Sequence, residues 1–400
     1  MTITTEMNVK DIISFNVKCL HIFGYFSPEL NNFGAKICYK VYVAIFFTFT
    51  YILCLLSQIA NMIEVYGDIE KMTETSFLLL TNSNQALKIY VFLFNGSRVW
   101  TFIENLNKNE FKPQNSVQRN SLSEEIKISK ATSKIFLFMC FVTCCLWGIF
   151  PFLDRQPGEK IRLPLSGWYP FGTDTSPSFE LVYAYQIFAT WINGMGNITM
   201  DTFISGAIMA ISVQLKILNN SFEVMTVQNY QSRNLRCEST LKNLRRALVK
   251  NIVHYKSILQ LSAEMTSLFT ICMTSQFAVS VIIICMTMFQ MSLVSVASLQ
   301  FLSMLLYQAC ILLEIFLWCY YGNEVIIESE KLTQSAYVCE WIECTKEFKK
   351  DLLFFMTRTQ FPLKLYAGGY FTLSLGTYMA ILKSSWSYFA VLNSMHTEEV

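Results

Sequence analysis

Long apolar runs, separated by polar and mostly basic connections, dominate the chain. Residues 41–62 carry no charge and are rich in aromatic side chains. Residues 77–94 form a weaker run, interrupted by Asn82, Asn84, Gln85 and Lys88. Residues 135–153 follow, closed by Pro151, and then 181–215, a long run with Asn193, Asn197 and Asp201 inside it. Residues 265–313 hold no Asp, Glu, Lys or Arg. At about 1.5 Å per residue that stretch far exceeds a bilayer core of roughly 30 Å, so it crosses twice, with its return near 290–298. The last run opens after Pro362 and the pair Gly368 and Gly369; from Tyr370 onward it is long enough for one more crossing. The pattern predicts an all-α, polytopic membrane protein with seven transmembrane helices.

Composition agrees. Of the residues, 53% are hydrophobic and 15% charged, with a mean hydropathy of +0.36, whereas soluble domains average about 25% charged. A net charge of +2 points to no nucleic-acid partner. The basic residues are distributed unevenly. Lys10, Lys18, Lys36 and Lys40 precede the first run, and Arg98 to Lys134, Lys216 to Lys256 and Lys331 to Lys364 populate alternate connections. The opposite side has only Lys71, Arg155, Lys160 and Arg162. The positive-inside rule then puts the N-terminus in the cytoplasm and the C-terminus outside. The matches to Asn-X-Ser/Thr at Asn95, Asn197 and Asn219 fall in the membrane or inside, where glycosylation is not expected. The first twenty residues carry Glu6, Lys10, Asp11 and Lys18 without a compact apolar region, so an uncleaved N-terminus is expected. Most of the thirteen cysteines lie within apolar runs and read as small buried residues, not as a disulfide framework.

On the last run, Tyr370, Ser374, Thr377, Ile381, Ser384, Tyr388, Val391 and Met395 recur at steps of three and four and share one helix face. A stripe of hydroxyls must turn away from lipid, either toward a neighbouring helix or toward a water-filled pore closed by an apolar constriction. Pro362, Phe371 with Thr372, Ser374, Thr377 and the tail Lys383-Ser384-Ser385-Trp386-Ser387-Tyr388-Phe389 resemble the C-terminal signature of insect odorant receptors. A second block, Cys319-Tyr320-Tyr321-Gly322-Asn323-Glu324-Val325 followed by Glu328-Ser329, Leu332, Ala336-Tyr337 and Trp341, resembles the segment at the inner end of that family's sixth helix. The cytoplasmic N-terminus agrees with the family too.

The resemblance implies an odorant-tuned subunit that pairs with a common co-receptor subunit in a heterotetrameric, non-selective cation channel at the plasma membrane of olfactory neurons. It implies a pore lined by the seventh helix, with Val391 and Met395 as the gate and Ser394 facing the conduit beside Thr377, Ile381, Ser384 and Tyr388. The chain divides accordingly into a cytoplasmic arm (1–40), helices one to six (41–322, with a cytoplasmic helical connection at 216–262), an anchor segment (323–364), the pore helix (365–395) and an outer tail (396–400). Residues 234–261 and 324–357 read as amphipathic cytoplasmic helices; in the resembled family such segments form an anchor that holds subunits together. The outer loop 154–180 carries Pro157, Pro164, Pro170 and Pro177 with Trp168, Tyr169 and Phe171, and reads as a lid at the membrane interface.

Candidate chemistry is that of binding. His21, His254 and His396 are far apart in sequence, Cys339 and Cys344 lack companion ligands for zinc, and no catalytic or phosphate-binding motif occurs, so neither an enzyme nor a cofactor is expected. Lys88, Asp201, Glu314 and Lys383 are ionisable residues at membrane depth, either functional or paired within the bundle. The resemblance implies a pocket for a small volatile ligand in the outer half of the bundle; such pockets are mostly apolar with a few polar groups. Candidates are Phe77, Leu80 and Thr81 on the second run, Cys140, Thr143 and Trp147 on the third, Tyr183, Ile187, Phe188 and Trp191 on the fourth, and Phe301, Met304 and Leu305 on the sixth. A gustatory receptor of the same superfamily is the alternative, although the Gln-Phe pair typical of its tail is missing after Tyr388. A transporter would require an internal repeat, and none is visible.

Overall fold

The computed structural model describes residues 7–27, 32–154, 161–173, 175–231, 238–339 and 341–399. The first six residues of the arm, Pro157 and the opening of the amphipathic helix expected from residue 234 lie outside them. Eleven α-helices and one two-stranded hairpin make up the described chain. Short α1 (Ser14–Ile22) precedes the first membrane helix, which is built from α2 (Phe33–Phe47) and α3 (Leu53–Glu64) joined by a π-helical turn, Thr48–Ile52. Such a turn displaces backbone carbonyls from the regular ladder. Two of these are met by the helix Ser178–Gln231: Asn193 Nδ2 donates to the Thr50 carbonyl at 2.8 Å, and the Tyr185 hydroxyl to the Phe49 carbonyl at 2.9 Å.

The remaining long helices are α4 (Ile69–Phe94), α6 (Ser116–Leu153), α7 (Ser178–Gln231), α8 (Glu238–Leu293) and α9 (Leu299–Val338), with short α5 (Gly96–Asn105) between the first two. The charge-free stretch breaks between Leu293 and Leu299, inside the expected return. Five helical segments are long and apolar enough to cross a membrane by composition alone: Phe33–Glu64, Ser116–Leu153, Ser178–Met225, Leu241–Leu293 and Leu299–Val338. Helix α4 falls short because its polar residues face inward. Asn84, Gln85 and Lys88 are all buried.

Helices of 54 and 56 residues are roughly 80 Å long, well beyond any bilayer. The excess of α7, α8 and α9 forms a second layer with α10 (Lys346–Thr359). Helix α10 buries Phe348, Leu352 and Phe355 in it. The Phe355 ring lies 5.2 Å from Phe222 and 5.5 Å from Tyr255. Lys216 ties three helices together by pairing with Glu125 at 2.9 Å and Glu324 at 3.3 Å.

The last helix, α11 (Leu375–Glu399), begins five residues after Tyr370. Residues 365–374 instead form a hairpin, β1 (Tyr366–Ala367) against β2 (Phe371–Thr372), turning through Gly368 and Gly369 at φ of 61° and 76°. A positive φ suits glycine and strains other residues, so this pair makes the turn. The hairpin is held to α8 by the Gly368 N–H donating to Thr270 Oγ1 at 2.9 Å. It packs on α9 so closely that a Cβ at Gly322 would overlap Leu373.

Candidate functional site

Four helices enclose a cavity of about 80 Å³ in the half of the bundle nearest the outer loop. Helix α6 contributes Phe136, Cys140, Thr143, Cys144 and Trp147; α4 contributes Leu78, Thr81, Asn82 and Gln85. Asn193 and Asn197 come from α7, and Tyr307, Ile311 and Glu314 from α9. Each set recurs at helical steps of three, four or seven, so each is one face of its helix. Cys54 and Gln58 of α3 close one side, and Leu165 of the outer loop reaches in from above. That loop is pinned by Gln186, whose Nε2 donates to the Leu165 carbonyl at 3.0 Å while its Oε1 accepts from the Leu165 N–H at 3.2 Å. The Trp168 N–H donates to the Ser57 carbonyl at 3.1 Å.

The upper wall is aromatic. The Tyr307 ring lies 5.6 Å from Trp147 and 5.3 Å from Phe77, and its hydroxyl meets Thr81 Oγ1 at 2.5 Å. The floor is charged. Lys88 Nζ, wholly enclosed, lies 2.5 Å from Asp201 Oδ1 and 2.9 Å from Glu314 Oε1, and donates to Asn197 Oδ1 at 3.1 Å. Lys88 and Asp201 attract as an ion pair. Trp318 caps the cluster from below. Its ring centroid is 5.7 Å from Lys88 Nζ, and its indole N–H donates to the Asp201 carbonyl at 3.0 Å. Ions this deep are expensive unless paired, and here α4, α7 and α9 are locked together by the pairing.

Of the pocket residues expected from sequence, Thr81, Cys140, Thr143 and Trp147 line this cavity. Phe77 and Met304 are buried outside its lining. The Tyr183 hydroxyl is turned to the Gly148 carbonyl at 2.8 Å, and Ile187 packs beside Gly148. Trp191 packs edge-on against Phe141, Leu80 and Phe301 are half-buried, and Phe188 and Leu305 face outward. Asn82, Gln85, Asn193, Asn197 and Glu314 were not among the expected lining, although the signal was present: they are the polar interruptions of otherwise apolar runs.

On α11, Ile381 and Ser385 are buried against the rest of the chain, while Tyr388, Val391 and Met395 are 62%, 56% and 55% exposed. Thr377 is half-buried; its hydroxyl donates to the Thr372 carbonyl at 2.6 Å, and its N–H donates to Ser374 Oγ at 3.3 Å, which caps the helix start. Ser384 and Ser394 are exposed. Lys383 is also exposed, beside a groove lined by Met288, Leu312 and Trp386. Among the described residues, no group of three or more His, Cys, Asp or Glu side chains is placed to hold a metal.

Comparison with known proteins gives a consistent picture. Odorant receptor Or1 of Anopheles gambiae is 25% identical over 97% of this chain and 96% of its own length. Odorant receptor 46a, isoform A, of Drosophila melanogaster is 24% identical over 89% and 90%. The solved structure of the insect olfactory receptor OR5 from Machilis hrabei in complex with eugenol superposes with a TM-score of 0.79 at 20% identity, covering 97% of this chain and 98% of that one. The model of the 7tm odorant receptor family matches residues 68–386, a span that takes in the whole cavity floor, the hairpin and the first half of α11, and the chain belongs to that family.

Proposed function

We propose that this chain is the odorant-tuned subunit of a ligand-gated, non-selective cation channel, working with a co-receptor subunit in the plasma membrane of olfactory sensory neurons. The observation that carries the reading is the pairing of two features in one chain. One is an enclosed, largely apolar cavity among α4, α6, α7 and α9. The other is a terminal helix whose Tyr388, Val391 and Met395 find no cover within the chain. An exposed apolar helix edge of this kind fits a position beside other subunits around a conduit.

In this reading the ligand enters the outer-half cavity and favours the open state by its differential affinity for the two states. Thr377, Ile381, Ser384, Tyr388 and Ser394 belong to the pore helix, and Val391 and Met395 close it. Helix α9 connects cavity to pore helix: Glu314 stands in the cavity wall, and Phe316 meets Tyr378 of α11 edge-on at 5.6 Å. A cavity of about 80 Å³ is smaller than the roughly 150 Å³ that takes benzene, so a small volatile molecule enters by displacing side chains of the lining. The eugenol held by the Machilis hrabei receptor is a ligand of that class. The test is expression with and without an odorant co-receptor, recording currents evoked by a panel of volatiles. Currents that need both subunits and disappear in Trp147→Ala support the proposal. Robust currents from this chain alone refute the obligate heteromer, and currents insensitive to Trp147→Ala refute the cavity as the site.

A further inference from the structure

Among the polar groups of the cavity wall, one deeply buried acceptor stands without a donor. Asn193 projects from α7 into the wall, and it is 3% exposed. Its Nδ2 is committed to the Thr50 carbonyl at 2.8 Å, which fixes the orientation of the amide and leaves Oδ1 buried without a donor. One turn deeper, Asn197 Oδ1 shares Lys88 with Glu314. Residues four apart on a helix stand about 5–6 Å from each other, so Asn193 lies one turn above the charged floor. The floor itself has two carboxyl groups, Asp201 and Glu314, against the single ammonium of Lys88. Glu314 is the carboxyl that borders the cavity; Asp201 does not reach it.

Two of the threonine hydroxyls that line the cavity are already donating. Thr81 donates to the Phe77 carbonyl at 2.8 Å and Thr143 to the Met139 carbonyl at 2.9 Å. Asn82 Nδ2 is spent on Gln58 Oε1 at 2.8 Å, and Gln85 Nε2 on the Asn193 carbonyl at 3.0 Å. A carboxylate accepts only, and a buried amide oxygen without a donor carries a full desolvation cost. A ligand that brings one N–H or O–H relieves that cost; an isostere without it does not.

We infer that the cavity selects a small, mainly apolar molecule carrying one hydrogen-bond donor, a hydroxyl or an amine, and that Glu314 and Asn193 are the residues that read it. The inference rests on the cavity being the ligand site, as proposed above. Shape then sets which carbon skeletons enter, between Trp147, Phe136 and Ile311, while the donor decides which of equal-sized skeletons stay.

Benzyl alcohol and anisole test it, because they are isomers of nearly equal size that differ in possessing a donor. Binding is measured calorimetrically on the full chain in lipid nanodiscs with a co-expressed co-receptor, after subtraction of the co-receptor alone. Wild type is expected to hold benzyl alcohol at least about tenfold more tightly, the difference one hydrogen bond to a charged group makes. Glu314→Gln, or Asn193→Ala if the first does not give monodisperse protein, is expected to shrink that preference to within about threefold. Trp147→Ala is expected to weaken both probes alike. If wild type binds both isomers within threefold while Trp147→Ala weakens both, the donor inference is overturned and the cavity reading stands. A preference that survives both polar variants also overturns it. If neither probe binds, or Trp147→Ala changes nothing, the cavity reading falls and takes the inference with it.

Discussion

Replacing Lys88 by methionine tests the electrostatic floor directly. Methionine keeps most of the length of the side chain and removes the charge. Lys88, Asp201 and Glu314 are 0%, 1% and 3% exposed, so the two carboxyls left behind have neither water nor a cation. Breaking a buried pair by removing one partner costs about 3–5 kcal/mol, because the other charge is stranded. The lost contacts with Asn197 Oδ1 and the face of Trp318 act in the same direction. The triple variant Lys88→Met, Asp201→Asn, Glu314→Gln removes every charge at nearly constant volume. Buried ion clusters replaced by neutral groups of similar size are often close to neutral in stability, so the triple is expected within about 1.5 kcal/mol of wild type. Equilibrium unfolding in a denaturing detergent, followed by tryptophan fluorescence, measures both, with Trp318 reporting from beside the site. A single variant that costs less than about 1 kcal/mol refutes the reasoning, as does a triple that costs as much as the single: the cluster would then be a solvated or merely steric feature.

Three further outcomes are expected. Phe355→Ala should destabilise the second layer by about 3–5 kcal/mol, as for other buried aromatic truncations, and show as a lowered thermal midpoint; an unchanged midpoint would mean that α10 is held instead by the pairing of Glu347 and Asp351 with Arg245. Gly322→Ala sets a Cβ against Leu373 of the hairpin; overpacking should cost roughly 1–3 kcal/mol and reduce evoked current, and wild-type stability with wild-type current would disprove the close approach. Burial holds the imidazole of His254, in the part of α8 that precedes the charge-free stretch, down at about 4, with Glu110 opposing and Lys250 assisting. The unfolded chain takes up a proton near 6.5, before the folded one does, so stability should be level above about pH 6.5 and fall by up to roughly 1.4 kcal/mol per pH unit between there and about pH 4. His254→Gln should flatten that slope, which thermal melts across the range would read.

The break between Leu293 and Leu299 fell where a charge-free stretch too long for one crossing had to turn. This is legible without a structure because a bilayer fixes the length of any segment that spans it. Helical periodicity likewise placed Cys140, Thr143 and Trp147 on one face, and that face lines the cavity. The hairpin was less legible. Tyr370 and Ser374 fit the helical stripe by spacing, but two consecutive glycines at positive φ and the contact of Leu373 with α9 draw these residues out of the helix. Spacing along a chain says nothing of what another segment will press against it.

The pairing of the charges is the clearest case of what only the tertiary structure decided. Lys88, Asp201, Glu314 and Lys383 all stood out in sequence as ionisable residues at membrane depth. Three of them meet across α4, α7 and α9, while Lys383 faces outward on α11. Hydropathy registers that a polar residue interrupts an apolar run. Which partner relieves its desolvation, and whether that partner also borders a cavity, depends on the rotation of three helices about their axes, and that is set by the packing of all of them together.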